Sequence, residues 1–360
     1  MKIPYILKRI KLYGIKNALQ RGFKKFVKTT YPVHINVEIM TVCNLKCPHC
    51  RVSYYGKTIQ NVNVGFMDFE LFKKIIDRLS PLVKRALIFQ LSTIEPLFHK
   101  RIFDMMDYVV SCNKDISFLM LSNAMLLNEE NIRRLCRYNI PGIAISLDGS
   151  KKEIVESFKS GVDFDKVTHN IRLLKNIVGK RMEVSTTFVA TTENIHELEE
   201  YIDFCHDLGI DNIIINGFMS FLPEMSHLCL YRYEGNTEAL EIFQKAYEKA
   251  KKAGIDMLFP NLVPEPRGCG NNTFMFVSEK GDVSPCQFLA YDTPLEFLGN
   301  AKTVEPIVFG NVLKDDPLMI WKSDKYLEFR EKLRKGVISE DCSCCAEAYG
   351  VIFNNRKMSP

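Results

Sequence analysis

No stretch of this 360-residue sequence approaches the uninterrupted apolar length of a membrane span, so bilayer-crossing helices are not expected. The first thirty residues contain no acid, yet they also lack the compact apolar core and small-residue site of a secretory signal. Without a signal, the twelve cysteines argue for metal or cluster ligation in a reducing compartment, the cytoplasm, rather than for a disulfide framework. The chain is not basic as a whole. Its net charge of +5 arises from nine Lys or Arg within residues 1–30, and the remainder sums to −4, so no nucleic-acid partner is expected. Apolar residues at 46% and charged residues at 25% are ordinary for a globular protein of one large domain, or one plus a smaller one.

A fourth cysteine is also missing where one would be sought. Cys43, Cys47 and Cys50 stand in Thr41-Val-Cys-Asn-Leu-Lys-Cys-Pro-His-Cys, and the next cysteine is Cys112. A C-x3-C-x2-C loop can wrap three thiolates around one iron–sulfur cube, which usually takes four cysteine ligands, so one iron stays open to a small molecule. Zinc would need a fourth ligand, and His49, adjacent to Cys50, is poorly placed to close a tetrahedron.

From residue 33 to about 253 short β-rich runs alternate with amphipathic stretches, the pattern of βα units around a parallel sheet. Strands are expected over 34–40, 86–91, 117–121, 143–147, 183–190 and 212–215. Helices are expected over 68–79, through Phe103 to Val110, from Asn128, over 164–177, from Asn194 with Glu197 completing a near capping box, and over 237–253. Six such units are too few for a closed eight-stranded barrel, and the cysteine loop follows the first strand, at the end where ligands sit.

The cysteine triplet and the six βα units resemble the radical S-adenosylmethionine (SAM) family. That resemblance implies an α/β fold with a partial (β/α)6 TIM-type barrel over residues 33–254, in which the open iron is chelated by SAM. Gln90-Leu-Ser-Thr-Ile-Glu-Pro is similar to the family's Gly-Gly-Glu-Pro segment, but only Glu95 and Pro96 match, and Thr93 and Ile94 replace glycines. Ser122-Asn-Ala is similar to the Thr-Asn-Gly turn, and Ile145-Ser-Leu-Asp-Gly to a Ser-Ile-Asp-Gly stretch. Lys159 stands where an arginine usually meets the SAM carboxylate, and His49 where an aromatic residue lies against adenine. The resemblance thus implies SAM contacts at His49, Thr93, Glu95, Ser122, Ser146 and Lys159. Asp148 reads equally well as a turn cap.

Beyond residue 255 the pattern changes. Cys269, Gly281-Asp-Val-Ser-Pro-Cys286, Gly310-Asn, Trp321-Lys-Ser and Cys342-Ser-Cys-Cys345 resemble the C-terminal extension called SPASM, or in its shorter form Twitch. The resemblance implies a small α+β domain over 255–350 with one auxiliary [4Fe–4S] cluster on Cys269, Cys286, Cys342 and Cys345, and leaves Cys344 over. Two cysteine pairs would also suit tetrahedral zinc. A four-cysteine cluster has no open iron, so its expected role is electron transfer.

The expectation is a radical SAM enzyme that cleaves SAM to a 5′-deoxyadenosyl radical and takes hydrogen from a substrate, a peptide or protein in preference to a small polar metabolite or lipid. Its reductant would be a flavodoxin or ferredoxin. The alternatives are a dehydrogenase or rearrangement enzyme on such a metabolite or lipid, and a cluster-binding scaffold without catalysis. Residues 1–32 read either as a basic amphipathic arm for an anionic membrane surface or acidic partner, or as a helix under the barrel; residues 351–360 read as a tail. No separate leader-peptide-binding domain is expected, since only about thirty residues precede the barrel.

Overall fold

The computed structural model describes residues 30–353. The arm expected over 1–32 lies outside the described residues up to position 29, as do residues 354–360 of the tail. Among the described residues no helix is long and apolar enough to cross a membrane.

The β-rich runs form parallel strands: β1 (His34–Val37), β2 (Ile88–Leu91), β3 (Ser117–Phe118), β4 (Met120–Ser122), β5 (Gly142–Ser146), β6 (Glu183–Ala190) and β7 (Asn212–Gly217). The run expected as one strand over 117–121 divides at Leu119 into β3, paired with β2, and β4, paired with β5. Counting those two as one, six parallel strands make the partial barrel. The sheet continues at both edges. β8 (Asp256–Leu258) adds to β7, and β9 (Phe274–Val277) pairs in parallel with β1, His34 opposite Phe274 and Val37 opposite Val277.

Helices α1 (Phe69–Val83), α2 (Ile102–Cys112), α3 (Glu129–Leu135), α4 (Lys152–Phe158), α5 (Phe164–Val178), α6 (Leu198–Asp207) and α7 (Thr237–Lys252) follow the strands. Their starts are chemically explicit. Asp68, Asn128, Asp163 and Asn236 each accept from free backbone N–H groups of the first turn. Phe72, Ile75, Ile76 and Leu79 of α1 recur at helical spacing and are fully buried in the main core.

The helix expected from Asn194 departs from its reading. A 3-10 turn occupies Ile195–Glu197, α6 begins at Leu198, and Asn194 does not cap it. Its buried amide turns inward, donating to the carbonyls of Asp148 and Val189, both at 3.0 Å, and accepting from Thr191 N–H at 2.8 Å. Joining two strand ends took precedence over local capping.

In the C-terminal region β9 and β10 (Asp282–Ser284) form the expected hairpin about Lys280 and Gly281. β11 (Thr293–Phe297) and β12 (Asn300–Val304) form a second hairpin, and β13 (Gly310–Asn311) lies against β10. Two helices, α8 (Pro317–Lys322) and α9 (Asp324–Lys335), complete it.

Residues 351–353, expected to be tail, belong to the fold. Val351 and Ile352 are buried, and the Ile352 carbonyl accepts from Gly217 N–H at 3.1 Å. A Cβ at position 217 would lie 2.0 Å from the Val351 carbonyl oxygen, so only glycine admits this approach. Gly217→Ala is therefore expected to cost about 1–3 kcal/mol, as overpacking does, and to free the C-terminal segment. Denaturant unfolding and limited proteolysis read the two effects, and unchanged values in both would contradict this packing.

Candidate active site

The first cysteine loop leaves β1 and is shaped by its own backbone. Cys50 N–H donates to the Cys47 carbonyl at 3.1 Å, Ser53 Oγ to the same carbonyl at 2.8 Å, and Leu45 N–H to Cys43 Sγ at 3.4 Å. All three thiols are half-buried. Burial pushes Cys43 up to about 12 and Cys47 up to about 11, and the neighbouring thiols add to both shifts. Asn123, at the end of β4, donates to Asn44 Oδ1 at 2.9 Å with the same amide nitrogen 4.0 Å from Cys43 Sγ.

The residues expected to touch SAM divide into two groups. His49, Ser146 and Lys159 line one cleft with Cys47 and Cys50, of about 340 Å³. The buried Lys159 ammonium donates to Ser146 Oγ at 2.5 Å and to the Ser146 carbonyl at 3.1 Å, and pairs with Asp148 at 2.8 Å. Asp148 in turn accepts from Val189 N–H at 2.8 Å, so the ends of β5 and β6 are fastened through it. The His49 ring centroid lies 4.7 Å from that of Phe158 and 5.8 Å from that of Phe218, and burial lowers its pKa.

Thr93, Glu95 and Ser122 form the second group and are not among the cleft's lining. Glu95 is buried and accepts from Asn123 N–H at 2.7 Å, Ser122 Oγ at 3.0 Å and Leu97 N–H at 3.3 Å, tying the loop after β2 to the end of β4. Burial lifts its pKa to about 7 against those hydrogen bonds. Thr93 Oγ1 donates to Glu38 Oε2 at 2.9 Å and accepts from Arg51 at 2.5 Å.

Three participants escaped the sequence reading. Glu38 follows β1 with no exposed surface, accepting from Ser92 Oγ and from the Thr93 hydroxyl and N–H. Its signal was the alternation His34-Ile-Asn-Val-Glu38, whose polar face is buried. Arg51, directly after Cys50, is buried 3.8 Å from Glu38. Asn216, the polar break in Ile213-Ile-Ile-Asn, lines the cleft, and its buried Oδ1 has no hydrogen-bond partner.

The second cysteine set closes a separate pocket. Cys269, Cys286, Cys342 and Cys345 all line it, while Cys344 does not. Backbone N–H groups face the sulfurs: that of Asn271 for Cys269, those of Phe288 and Leu289 for Cys286, and that of Ala348 for Cys345. Burial nonetheless pushes Cys286 up to about 12 and Cys269 and Cys345 well above the usual thiol value. A bound metal would have to take the place of the protons for such thiols to become thiolates. Among the described residues no three His, Cys, Asp or Glu side chains converge on one point as a single ion requires. The four thiols surround a space, and N–H donors face three of them, which fits a multi-iron cluster.

Comparison with known proteins agrees with this geometry. Residues 37–205 match the radical SAM superfamily and residues 269–346 the SPASM iron–sulfur cluster-binding domain. The chain is a radical SAM enzyme with a C-terminal SPASM domain, and its cofactors are [4Fe–4S] clusters and SAM. It is 23% identical over 320 residues to a tungsten-containing aldehyde ferredoxin oxidoreductase cofactor-modifying protein of Pyrococcus furiosus, covering 87% of each chain. An AdoMet-dependent heme synthase of Methanosarcina barkeri is 24% identical, covering 88% of this chain and 89% of that one. A mycofactocin maturase of Mycobacterium tuberculosis is 23% identical, covering 87% and 75%. Among solved structures, Streptococcus suis SuiB bound to precursor peptide SuiA superposes with a TM-score of 0.62 at 16% identity, covering 97% of this chain and 76% of that one. Native anSMEcpe with bound AdoMet gives 0.63 at 17% identity, covering 89% and 88%. These likenesses establish the partial-barrel fold.

Glu95 gives a pH test. Its folded pKa of about 7 lies above the ordinary 4.5, so the folded state holds this proton more tightly than the unfolded state. Stability therefore falls as pH rises through that window and is unaffected by this group below it. Relative to Glu95→Gln, the apoprotein should lose on the order of 3 kcal/mol between pH about 4.5 and 7, and nothing more above. Denaturant midpoints across pH check this, and a pH-independent difference between the two proteins would refute it.

Proposed function

We propose that this chain is a radical SAM enzyme acting on a peptide or protein, with Cys43, Cys47 and Cys50 holding the SAM-binding cluster and Cys269, Cys286, Cys342 and Cys345 the auxiliary one. The observation that carries the substrate reading is the charge balance of the cleft. Its cations are already paired, Lys159 with Asp148 and Arg51 with Glu38, and burial disfavours a charge on His49. The other lining residues include Phe158, Phe218, Phe221, Phe288 and Phe353. A cleft of this kind suits an uncharged, apolar group and, with Lys159 given to SAM, leaves no further cation for a carboxylate-rich substrate.

When bound, the cluster and SAM supply a 5′-deoxyadenosyl radical able to take hydrogen from an unactivated carbon. The chain's residues bind and orient. Lys159 and Ser146, at the cleft floor beside Cys47, suit the SAM carboxylate and ribose, and His49 suits a face of adenine. The loop carrying Thr93 and Glu95, braced by Ser122, suits the SAM ammonium. The phenylalanine walls exclude water from the reacting centre. Asn216 Oδ1, buried without a partner, would accept an N–H of the substrate, as a peptide amide supplies. The auxiliary cluster, enclosed by four cysteines, would pass electrons, and a flavodoxin or ferredoxin would supply them.

The likeness to a mycofactocin maturase and to a structure holding a precursor peptide supports a peptide substrate. A second reading, a small cofactor precursor, is favoured by the match to a heme synthase over nearly the whole of both chains.

Anaerobic incubation with SAM and dithionite should yield 5′-deoxyadenosine, and Cys50→Ala should abolish it while retaining the auxiliary cluster's iron. Retained cleavage in that variant would overturn the assignment of the first three cysteines. Asn216→Leu should raise KM up to about tenfold for any peptide that stimulates cleavage, the worth of one hydrogen bond. An unchanged KM would remove Asn216 from the substrate site.

A further inference from the structure

One side chain reaches from the first cysteine loop to the second. Arg51 follows Cys50 directly. Its Nη1 donates to the main-chain carbonyl of Gln287, the residue after Cys286, at 3.2 Å. Its Nη2 donates to Thr93 Oγ1 at 2.5 Å and lies 3.8 Å from Glu38 Oε2. The guanidinium carbon sits 5.5 Å from the Phe288 ring centroid and 5.4 Å from that of Tyr55. Arg51 is 7% exposed, so a full positive charge is buried between the two cysteine sets with a single carboxylate, that of Glu38, against it.

Burying a guanidinium is costly, and the cost is offset only when its donors are all used and its charge is answered. Arg51 spends one arm of its planar fork on a carbonyl of the auxiliary region and the other on the barrel, which a lysine's single ammonium cannot do. Apolar residues would fill the same space at less cost if packing were the only requirement.

We propose that Arg51 is a positioning residue that fixes the two cluster loops relative to each other and raises the reduction potential of the clusters they hold. Reduction adds a negative charge to an iron–sulfur cluster, and a buried cation nearby favours the reduced form. Glu38, paired with it, opposes that effect and limits it. The inference rests on the assignment of both cysteine sets to clusters.

The test uses the reconstituted holoenzyme, with iron and sulfide counts and potentiometric titration followed by electron paramagnetic resonance. Arg51→Gln should shift the reduction equilibrium of at least one cluster tenfold or more toward the oxidised form, 59 mV lower for a one-electron couple. Arg51→Lys should keep the potentials within twofold of wild type in that equilibrium, yet alter the magnetic interaction between the two reduced clusters. Glu38→Gln, which leaves the cation unanswered, should shift the equilibrium the opposite way, and it carries the test if Arg51→Gln fails to assemble both clusters. Unchanged potentials in a fully loaded Arg51→Gln protein, or a Glu38→Gln shift that is absent or toward the oxidised form, would overturn the proposal. Fewer than two clusters in the wild type would overturn the site assignment itself, and this inference with it.

Discussion

The parallel pairing of β1 with β9 is the constraint on which the rest of the site depends. β1 is flanked on one side by β2 and on the other by a strand from 240 residues further along the chain, with four residues in register on each side. Parallel neighbours so distant in sequence must be brought together by the fold as a whole, since no local turn can join them. The consequence is positional. The chain leaving β1 enters the first cysteine loop, and the chain leaving β9 turns through β10 into Cys286. The Cys286 loop follows β10, which runs back antiparallel along β9, and it comes close enough to the first cysteine loop for Arg51 to bond across to Gln287. The auxiliary region is therefore an extension of the barrel sheet.

Electrostatics explains why both cysteine sets need such a scaffold. A thiolate in a buried, low-dielectric pocket is unfavourable, and several together repel one another, as the raised pKa values of Cys43, Cys47 and Cys286 express. The protein meets this with backbone N–H groups directed at sulfur, from Leu45, Asn271, Leu289 and Ala348, rather than with charged side chains at each cysteine. Loop shape thus sets how the thiols face one another, and a bound cluster would have to offset most of the cost of deprotonating them.

The six barrel strands, the first cysteine loop and the gathering of Cys269, Cys286, Cys342 and Cys345 in one pocket were legible in the sequence because each has a local signature: β-branched runs, a C-x3-C-x2-C spacing, a glycine-turn hairpin ending in Cys286. Contacts that join distant segments were not. Lys159 was picked out, but its partnership with Asp148 depends on where α4 places it beside β5. Glu38 and Arg51 are ordinary residues in sequence and become a buried pair only in three dimensions. Asn194 carried a helix-start signal that the fold used otherwise, because its amide could satisfy two strand-end carbonyls. Val351 and Ile352 follow the last cysteine motif and read as tail, yet the missing side chain of Gly217 makes a seat for them.

That last contact bears on how the cleft is built. The barrel ends at β7 and β8, and among the described residues no ladder joins that edge to β9 and its neighbours. An open edge beside the cleft would admit water. Here the final described residues lie across it: the Ile352 carbonyl is held by Gly217, and Ile352 and Phe353 join Asn216 and Phe218 in lining the cleft. The wall comes from the far end of the chain, while the floor comes from Cys47, Cys50 and Lys159 near its beginning. Substrate shape can therefore be altered through the wall without disturbing the floor. One partial barrel can in this way present different walls to different substrates while the residues of the floor stay in place.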